Sequence, residues 1–557
     1  MRRRQIFACV IFVSVLLLLL AAPGISIAGQ TSSQASPAAS NASYADRYGI
    51  ASSQLTDLGD DEMEAEFQAL NGAGASWVRC GFSWINLEPV QGWWNPERLA
   101  RADQLVAKAE SHGVNVLGIL GCTPYWANGG KTWNYPPTDM AAWRNYVRTM
   151  ATRYRGRVKA WEIWNEEDIQ VFWGNPPDPT AYMQILVAAS QEIRAADPGA
   201  TIVMGGMAGC VSQAAIDYLT TCLQLGLADY VDAVAYHPYP ETLGSGEYTP
   251  QEYKARLIVK GIHDLISFCS GKDLQLWITE FGFSTAVLDQ DTQASYMMRS
   301  LINYAGTDVD RIFWYRLRDT TDPPPEESGL LQNNFTRKKA YKYYATFEDV
   351  FGSVSSHDSE AATFSCSRPS ALEASCFRKS DGGLVIAAWT SDDLSDNLTL
   401  KINDTAFKTL VRVNPLNGER QAQATSFDAQ GKLTASLAIG KEPVVLEAGM
   451  GGNQFYFAEG YTGSGFEEWL CLANPNPTAT VAHVTYMFED GTTQAQEVPI
   501  GANTRQTVYV NDAVGSGKNV SIRITSDSPI VAERPMYFNY KGAWTGGHDV
   551  VGYTGDL

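Results

Sequence analysis

The chain has 557 residues, with 42 Lys or Arg against 61 Asp or Glu, a formal charge of −19. That acidity argues against nucleic acid or an anionic membrane surface as a partner. The length allows two to four domains with more than one large core, and nine scattered cysteines with six histidines show no metal-ligand spacing, so no structural metal is expected.

Residues 1–28 open with three arginines, continue as an apolar run and close on Ser26–Ile27–Ala28. This is the pattern of a secretory signal peptide cut after Ala28, and it predicts a secreted, extracellular protein. No later run is apolar for the 18 or so residues a membrane span needs. Residues 29–45 are small and polar and read as a flexible linker.

From 46 to 347, short apolar runs alternate with amphipathic stretches, which predicts a (β/α)8 barrel. Strands are expected at 47–52, 76–82, 114–120, 158–164, 201–206, 230–237, 274–280 and 311–317. Between them, 141–155 and 179–197 carry the apolar i, i+3, i+4 stripe of a sheet-covering helix, and the second stops at Pro198–Gly199. Beyond the barrel, residues 350–449 turn to short alternating strands between Gly, Asp and Asn turns, a small β-sandwich. Residues 453–557 read as a second β module, with strands expected at 505–511, 520–526 and 530–538 among others. The predicted class is therefore α/β, a barrel followed by two all-β sandwich-like modules. Cys366 and Cys376 flank a turn and are the expected bridge, with Cys210 and Cys222 a second candidate.

Two carboxylates stand at the ends of predicted strands, Glu166 in WEIWNEED and Glu280 in LWITEFGFST. They are 114 residues apart, room for three strand–helix units of roughly 38 residues each. Residues at the C-terminal ends of barrel strands share one mouth. Acetal hydrolysis needs a proton donor for the leaving oxygen and a carboxylate at the anomeric carbon, so two glutamates there make a candidate catalytic pair. Glu166 is expected as acid/base and Glu280 as nucleophile, with Asn165 placed to hold the neighbouring sugar hydroxyl.

Arg79 lies inside an apolar strand, where an unpaired cation is costly, and a carboxylate partner such as Glu280 resolves that. His237 and Tyr239 end the sixth strand, within reach of the nucleophile or the sugar. Trp314 is the expected stacking floor for the sugar ring, with Tyr315, which alternates with it, left open as the inward residue. Trp84, Trp126 and Trp173 fall near loops on the same side and are candidates for further subsites. Glu88 and Glu167 are expected to be structural.

These residues sit in stretches that resemble clan A retaining glycoside hydrolases, of the family 39 and family 5 types. The stretches are WVRCGFSWINLEPVQGWWN, GILGCTPYWAN, RYRGRVKAWEIWNEED, ADPGATIVMGG, AYHPY and WITEFGFST, in order along nearly the whole barrel. The resemblance implies a double-displacement mechanism without a cofactor, acting on a carbohydrate. It matches Asn165 and Glu166 to the acid/base pair and Glu280 to the nucleophile, with Arg79, His237 and Tyr239 at supporting positions. One departure is Glu167, where relatives commonly carry proline; its charge is expected to raise the pKa of Glu166. Residues 453–557 resemble a β domain of unknown role on secreted bacterial proteins, whose aromatics suggest contact with glycan or cell surface. Transglycosylation by the same site, or carbohydrate binding without catalysis, remain the alternatives to hydrolysis.

Overall fold

The computed structural model describes residues 44–553 apart from 53–54, 210–211, 240–247, 251, 322–325, 451, 477, 541 and 543. The expected signal peptide, most of the linker and Cys210 thus lie outside the described residues.

Eight parallel strands close into a barrel in sequence order: β1 Tyr48–Ala51, β2 Trp77–Gly81, β3 Asn115–Leu120, β4 Ala160–Ile163, β5 Thr201–Met204, β6 Ala233–Tyr236, β7 Gln275–Phe281 and β8 Arg311–Tyr315. The long helices that cover it are α1 Asp60–Ala73, α2 Pro96–Ser111, α3 Met140–Arg153, α4 Pro179–Ala196, α5 Gln213–Gln224, α6 Glu252–Ser270, α7 Gln290–Ala305 and α8 Lys339–Phe351. Local chemistry sets their starts. Asn95, Asp139 and Asp178 each cap a helix by accepting from two backbone N–H groups of its first turn, and Pro96 and Pro179 occupy the first helical position, where no N–H is needed.

Both faces of each strand are buried, one toward the helices and one toward the barrel interior. The interior cluster is Trp77, Leu117, Ala160, Val203, Ala233, Ala235, Trp277 and Phe313. Two indoles and one phenyl ring fill the barrel centre, which forces small residues opposite them. A Cβ on Gly49 would sit 2.6 Å from the Phe313 ring. Because side chains alternate along a strand, this cluster fixes which neighbours point into the mouth: Arg79 after Trp77, Glu162 after Ala160, His237 after Ala235, Thr279 after Trp277 and Tyr315 after Phe313.

At the end of β7 the pairing with β8 slips, from Ile278 opposite Ile312 to Phe281 opposite Trp314. One extra residue on β7 makes a bulge, which turns Glu280 toward the mouth beside Thr279 instead of outward.

After the barrel, strands Ala362–Ser365, Asp396–Ile402, Leu433–Ile439 and Ser426–Phe427 form one sheet, and a six-stranded antiparallel sheet containing Leu372–Lys379 and Leu384–Thr390 forms another. An apolar cluster that includes Leu384, Ile386, Leu398, Leu400 and Leu437 lies between them. Cys366 and Cys376 are free thiols, contrary to the expected bridge. Cys366 follows the strand paired with Asp396–Ile402, whereas Cys376 lies in the strand paired with Leu384–Thr390, so the two belong to different sheets. Cys222 is likewise a free, buried thiol.

This sandwich docks on α6 and α7. Arg299 of α7 is buried between Glu252 and Asp393, at 2.6 and 2.7 Å, and the Trp389 indole donates to the same Glu252 at 2.9 Å. The last module is antiparallel. Its expected strands at 520–526 and 530–538 are rearranged: Val520–Glu533 runs as one strand and Met536–Tyr540 as the next. The strand Phe466–Asn474 pairs with three others in this module.

Candidate active site

Arg79 organises the mouth. It is 2% exposed, and its three donor groups each find an acceptor: Nε donates to Glu162 Oε2 at 2.5 Å, Nη2 to Asn165 Oδ1 at 2.6 Å, and Nη1 to Glu280 Oε1. Glu162 is a site residue that the sequence reading did not single out. Its other oxygen accepts from Gly206 N at 3.0 Å and from Thr279 Oγ1 at 2.9 Å, so this fully buried carboxylate is completely paired. The signal for it was present in AWEIW, a charged residue inside an apolar strand, the same signal that marked Arg79.

Glu280 accepts from Arg79 on one oxygen and from the Tyr239 hydroxyl, at 2.9 Å, on the other. Burial alone would raise its pKa, but the charges of His237 and Arg79 and these hydrogen bonds outweigh burial and hold it below the ordinary carboxylate value. Tyr239 therefore meets the nucleophile candidate, one of its two expected roles.

His237 turns the other way. Its Nδ1 lies 2.8 Å from Glu166 Oε1 and its Nε2 3.0 Å from Thr279 Oγ1. Thr279 has a single hydroxyl proton and donates it to Glu162, so toward His237 it accepts, and Nε2 carries a hydrogen. The contact between Nδ1 and Glu166 then holds one proton between two atoms. It is either an imidazolium donating to a carboxylate or a carboxylic acid donating to a neutral imidazole. Burial lowers the pKa of His237, but the Glu280 charge and the Glu166 hydrogen bond reverse this, and the net shift is upward.

The loop that carries Glu166 is strained. Trp164 and Glu166 have positive φ, 78° and 52°, a region that costs side-chain-bearing residues about 1–3 kcal/mol. The Trp164 indole donates to Phe172 O at 2.9 Å and Glu166 N to Gly206 O at 3.0 Å, which hold the turn in place. Gly206 is glycine for a contact reason, since a Cβ there would lie 2.1 Å from His237 Nε2. With Asn165 Oδ1 fixed on Arg79, its Nδ2 is the group left to donate to a ligand.

Glu166, His237 and Glu280 each offer a ligand-type atom to a cluster whose members all lie within 4.8 Å of one another. The two candidate carboxylates thus face each other across a gap that fits one reacting centre.

Two expectations are corrected. Trp314 is fully buried outside the barrel, edge-on to Phe281 at 5.3 Å, with its indole donating to Ser328 O. The residue of β8 facing the mouth is Tyr315, whose ring packs edge-on against Tyr239 at 6.3 Å and whose hydroxyl donates to Glu326 at 2.6 Å. Glu167 adds no charge beside Glu166. It is 0% exposed, and burial, reinforced by Asp168, pushes its pKa well above the usual carboxylate range and so favours the neutral form.

The remaining candidates divide. Trp84 and Trp173 are core residues, Trp84 stacked on Tyr146 at 5.0 Å. Trp126 stays half-buried on the loop after β3, its indole donating to Glu88 O at 3.0 Å. Glu88 accepts from the Trp84 indole and from Gly92 N, a structural role.

A family model for cellulase, glycosyl hydrolase family 5, matches residues 42–318. The barrel is that of a clan A glycoside hydrolase. Accordingly the protein is a glycosidase. Among solved structures, a family 39 glycoside hydrolase from the gut symbiont Bacteroides cellulosilyticus WH2 superposes with a TM-score of 0.57 at 20% identity, over 73% of this chain and 82% of that one. A family 30 subfamily 8 xylanase from Clostridium acetobutylicum does so with a TM-score of 0.50 at 16% identity, over 72% of this chain and 95% of that one. At those identities the likeness is one of fold. No curated protein matches the chain.

Proposed function

We propose that this clan A glycosidase is a secreted, retaining β-glycoside hydrolase that cleaves O-glycosidic bonds of a polysaccharide or oligosaccharide. The observation that carries the reading is the pairing of the two glutamates with opposite partners across a gap of at most 4.8 Å, Glu280 on Arg79 and Tyr239, Glu166 on His237. Retaining enzymes hold their carboxyl groups about 5–5.5 Å apart, whereas inverting ones need about 6.5–9.5 Å for a water.

In the first step an oxygen of Glu280, kept anionic, attacks the anomeric carbon as the bond to the leaving oxygen breaks. Glu166 delivers its proton to that oxygen and becomes a carboxylate. Asn165 Nδ2 is placed to donate to the adjacent sugar hydroxyl, and the Tyr315 ring forms a wall of the same subsite. In the second step Glu166 takes a proton from water, the hydroxide attacks the anomeric carbon, and Glu280 leaves with its electron pair. The proton taken from water restores the one that Glu166 shares with His237 Nδ1.

The test is turnover of a panel of aryl β-glycosides, with the anomer of the first-formed product read by proton NMR and Glu280→Gln run in parallel. A β product that disappears in the variant supports the proposal, and an α product overturns retention. Secretion rests on residues 1–28, and the expected mature N-terminus is Gly29.

A further inference from the structure

A cavity of about 620 Å³ opens on the barrel rim between the loops that follow β7 and β8. It is lined by Thr285, Asp289, Asp319, Glu327, Gln332 and Lys338, with further amide and hydroxyl side chains and Leu288 as its apolar contribution. Its volume lies within the range of about 300–1,000 Å³ typical of small-molecule sites. The floor is built. Lys338 is 2% exposed in its side chain and donates to Asp319 at 2.7 Å, to Thr285 Oγ1 at 3.0 Å and to Glu327 O at 3.1 Å.

One segment joins this cavity to the mouth. Glu326 accepts from the Tyr315 hydroxyl at 2.6 Å and from Arg316 at 2.7 Å on the mouth side. The next residue, Glu327, lines the cavity and accepts from Thr285 through its backbone oxygen at 2.9 Å. Position on the barrel gives the direction. In the closed strand order β8 stands opposite β4, which carries the acid/base loop. The leaving group departs on the Glu166 side, so the sugar bonded to Glu280, and any units beyond it, extend over the β7–β8 rim.

We infer that this cavity is a glycon-side subsite that receives a neutral saccharide unit of the substrate, away from the bond being cleaved. This rests on the hydrolase reading proposed above. Side-chain amides and carboxylates pair with vicinal hydroxyls as donors and acceptors. A uronate would instead meet three carboxylates, Asp289, Asp319 and Glu327, against the single cation of Lys338. An apolar ligand would leave the carboxylates and side-chain amides of the lining without partners.

The experiment uses the full chain carrying Glu280→Gln, which binds without turning over, on an array of neutral β-glucan, β-xylan and β-mannan oligosaccharides beside uronate-bearing ones. Gln332→Trp is added to fill the cavity, and Gln332→Ala to remove only the amide; thermal melts equal to the parent's establish that each is folded. The expected result is binding to neutral oligosaccharides that Gln332→Trp weakens at least tenfold and Gln332→Ala by a smaller factor. Binding unchanged by both variants, binding confined to uronate-bearing glycans, or no glycan bound at all overturns the inference. If only the retaining mechanism fails, the anomer measurement changes while this pattern of binding stays.

Discussion

Glu162 takes the Nε–H of Arg79 at 2.5 Å, and neither partner is more than 2% exposed. The nucleophile candidate therefore shares its cation with a second, fully buried carboxylate, and the guanidinium stays fixed whether or not Glu280 carries charge. Glu162→Gln leaves Arg79 short of one countercharge in a dry site, and breaking a buried pair costs about 3–5 kcal/mol. The expected outcome is a loss of stability of that order in urea unfolding, with kcat falling because Arg79 and Asn165 lose their common anchor. Full stability in the variant would show that Arg79 is held by its other partners alone.

Removing the Tyr239 hydroxyl tests the other oxygen of Glu280. A hydrogen bond to a charged group is worth about 1.5–3 kcal/mol, so Tyr239→Phe is expected to lower kcat/KM about 10- to 100-fold. That bond also favours the anionic form of Glu280, so its loss moves the acidic limb of the pH–rate profile upward. In the parent protein that limb falls below the usual glutamate value of about 4.3, because the Glu280 pKa is depressed. An acidic limb unmoved by the substitution would assign it to another group.

His237 governs the opposite limb. The proton it shares with Glu166 is lost as pH rises, and the pKa of His237 is raised, so activity should persist above about pH 6.5 before it falls. His237→Gln is expected to steepen the loss of kcat at neutral pH while sparing substrates with good leaving groups, which need no proton. Comparing nitrophenyl with alkyl glycosides reads this directly. Equal losses on both would mean that the residue acts only in packing.

Glu167 gives a stability prediction with a definite sign. Its folded pKa is raised, so the native state holds a proton that the unfolded chain releases above about pH 4.3. Stability linked to this group is complete below that pH and declines by about 1.4 kcal/mol per unit as pH rises toward the folded pKa. Glu167→Gln removes that slope. Thermal melts from pH 5 to 8 should decline less in the variant than in the parent, and identical slopes would show that Glu167 is charged when buried.

The eight barrel strands were legible because strands buried on both faces read as short apolar runs, and a charge inside one, Arg79, is conspicuous. The same double burial hid orientation. Trp314 and Tyr315 are both aromatic, and only the position of Phe313 in the packed interior decides that Tyr315 enters the mouth. Glu162 carried the same signal as Arg79 but lies one residue before the end of β4, inside the strand, where the sequence marks no role. In the last module, Ser528 and Pro529 read as a turn, yet the strand continues through them because its pairing with Gly452–Phe457 jumps from Thr525 to Ile530. A bulge accommodates proline there.

The bulge on β7 has a consequence for how this site can change. Glu280 reaches the mouth because its strand carries one residue more than its partner strand uses. A single-codon deletion between Ile278 and Phe281 would erase that surplus and restore simple alternation. If the residue lost is Thr279, the glutamate takes its inward place and the hydroxyl that joins Glu162 to His237 is gone; if it is Glu280, the carboxylate itself goes. Inheritance of the reaction thus depends on strand length as much as on residue identity.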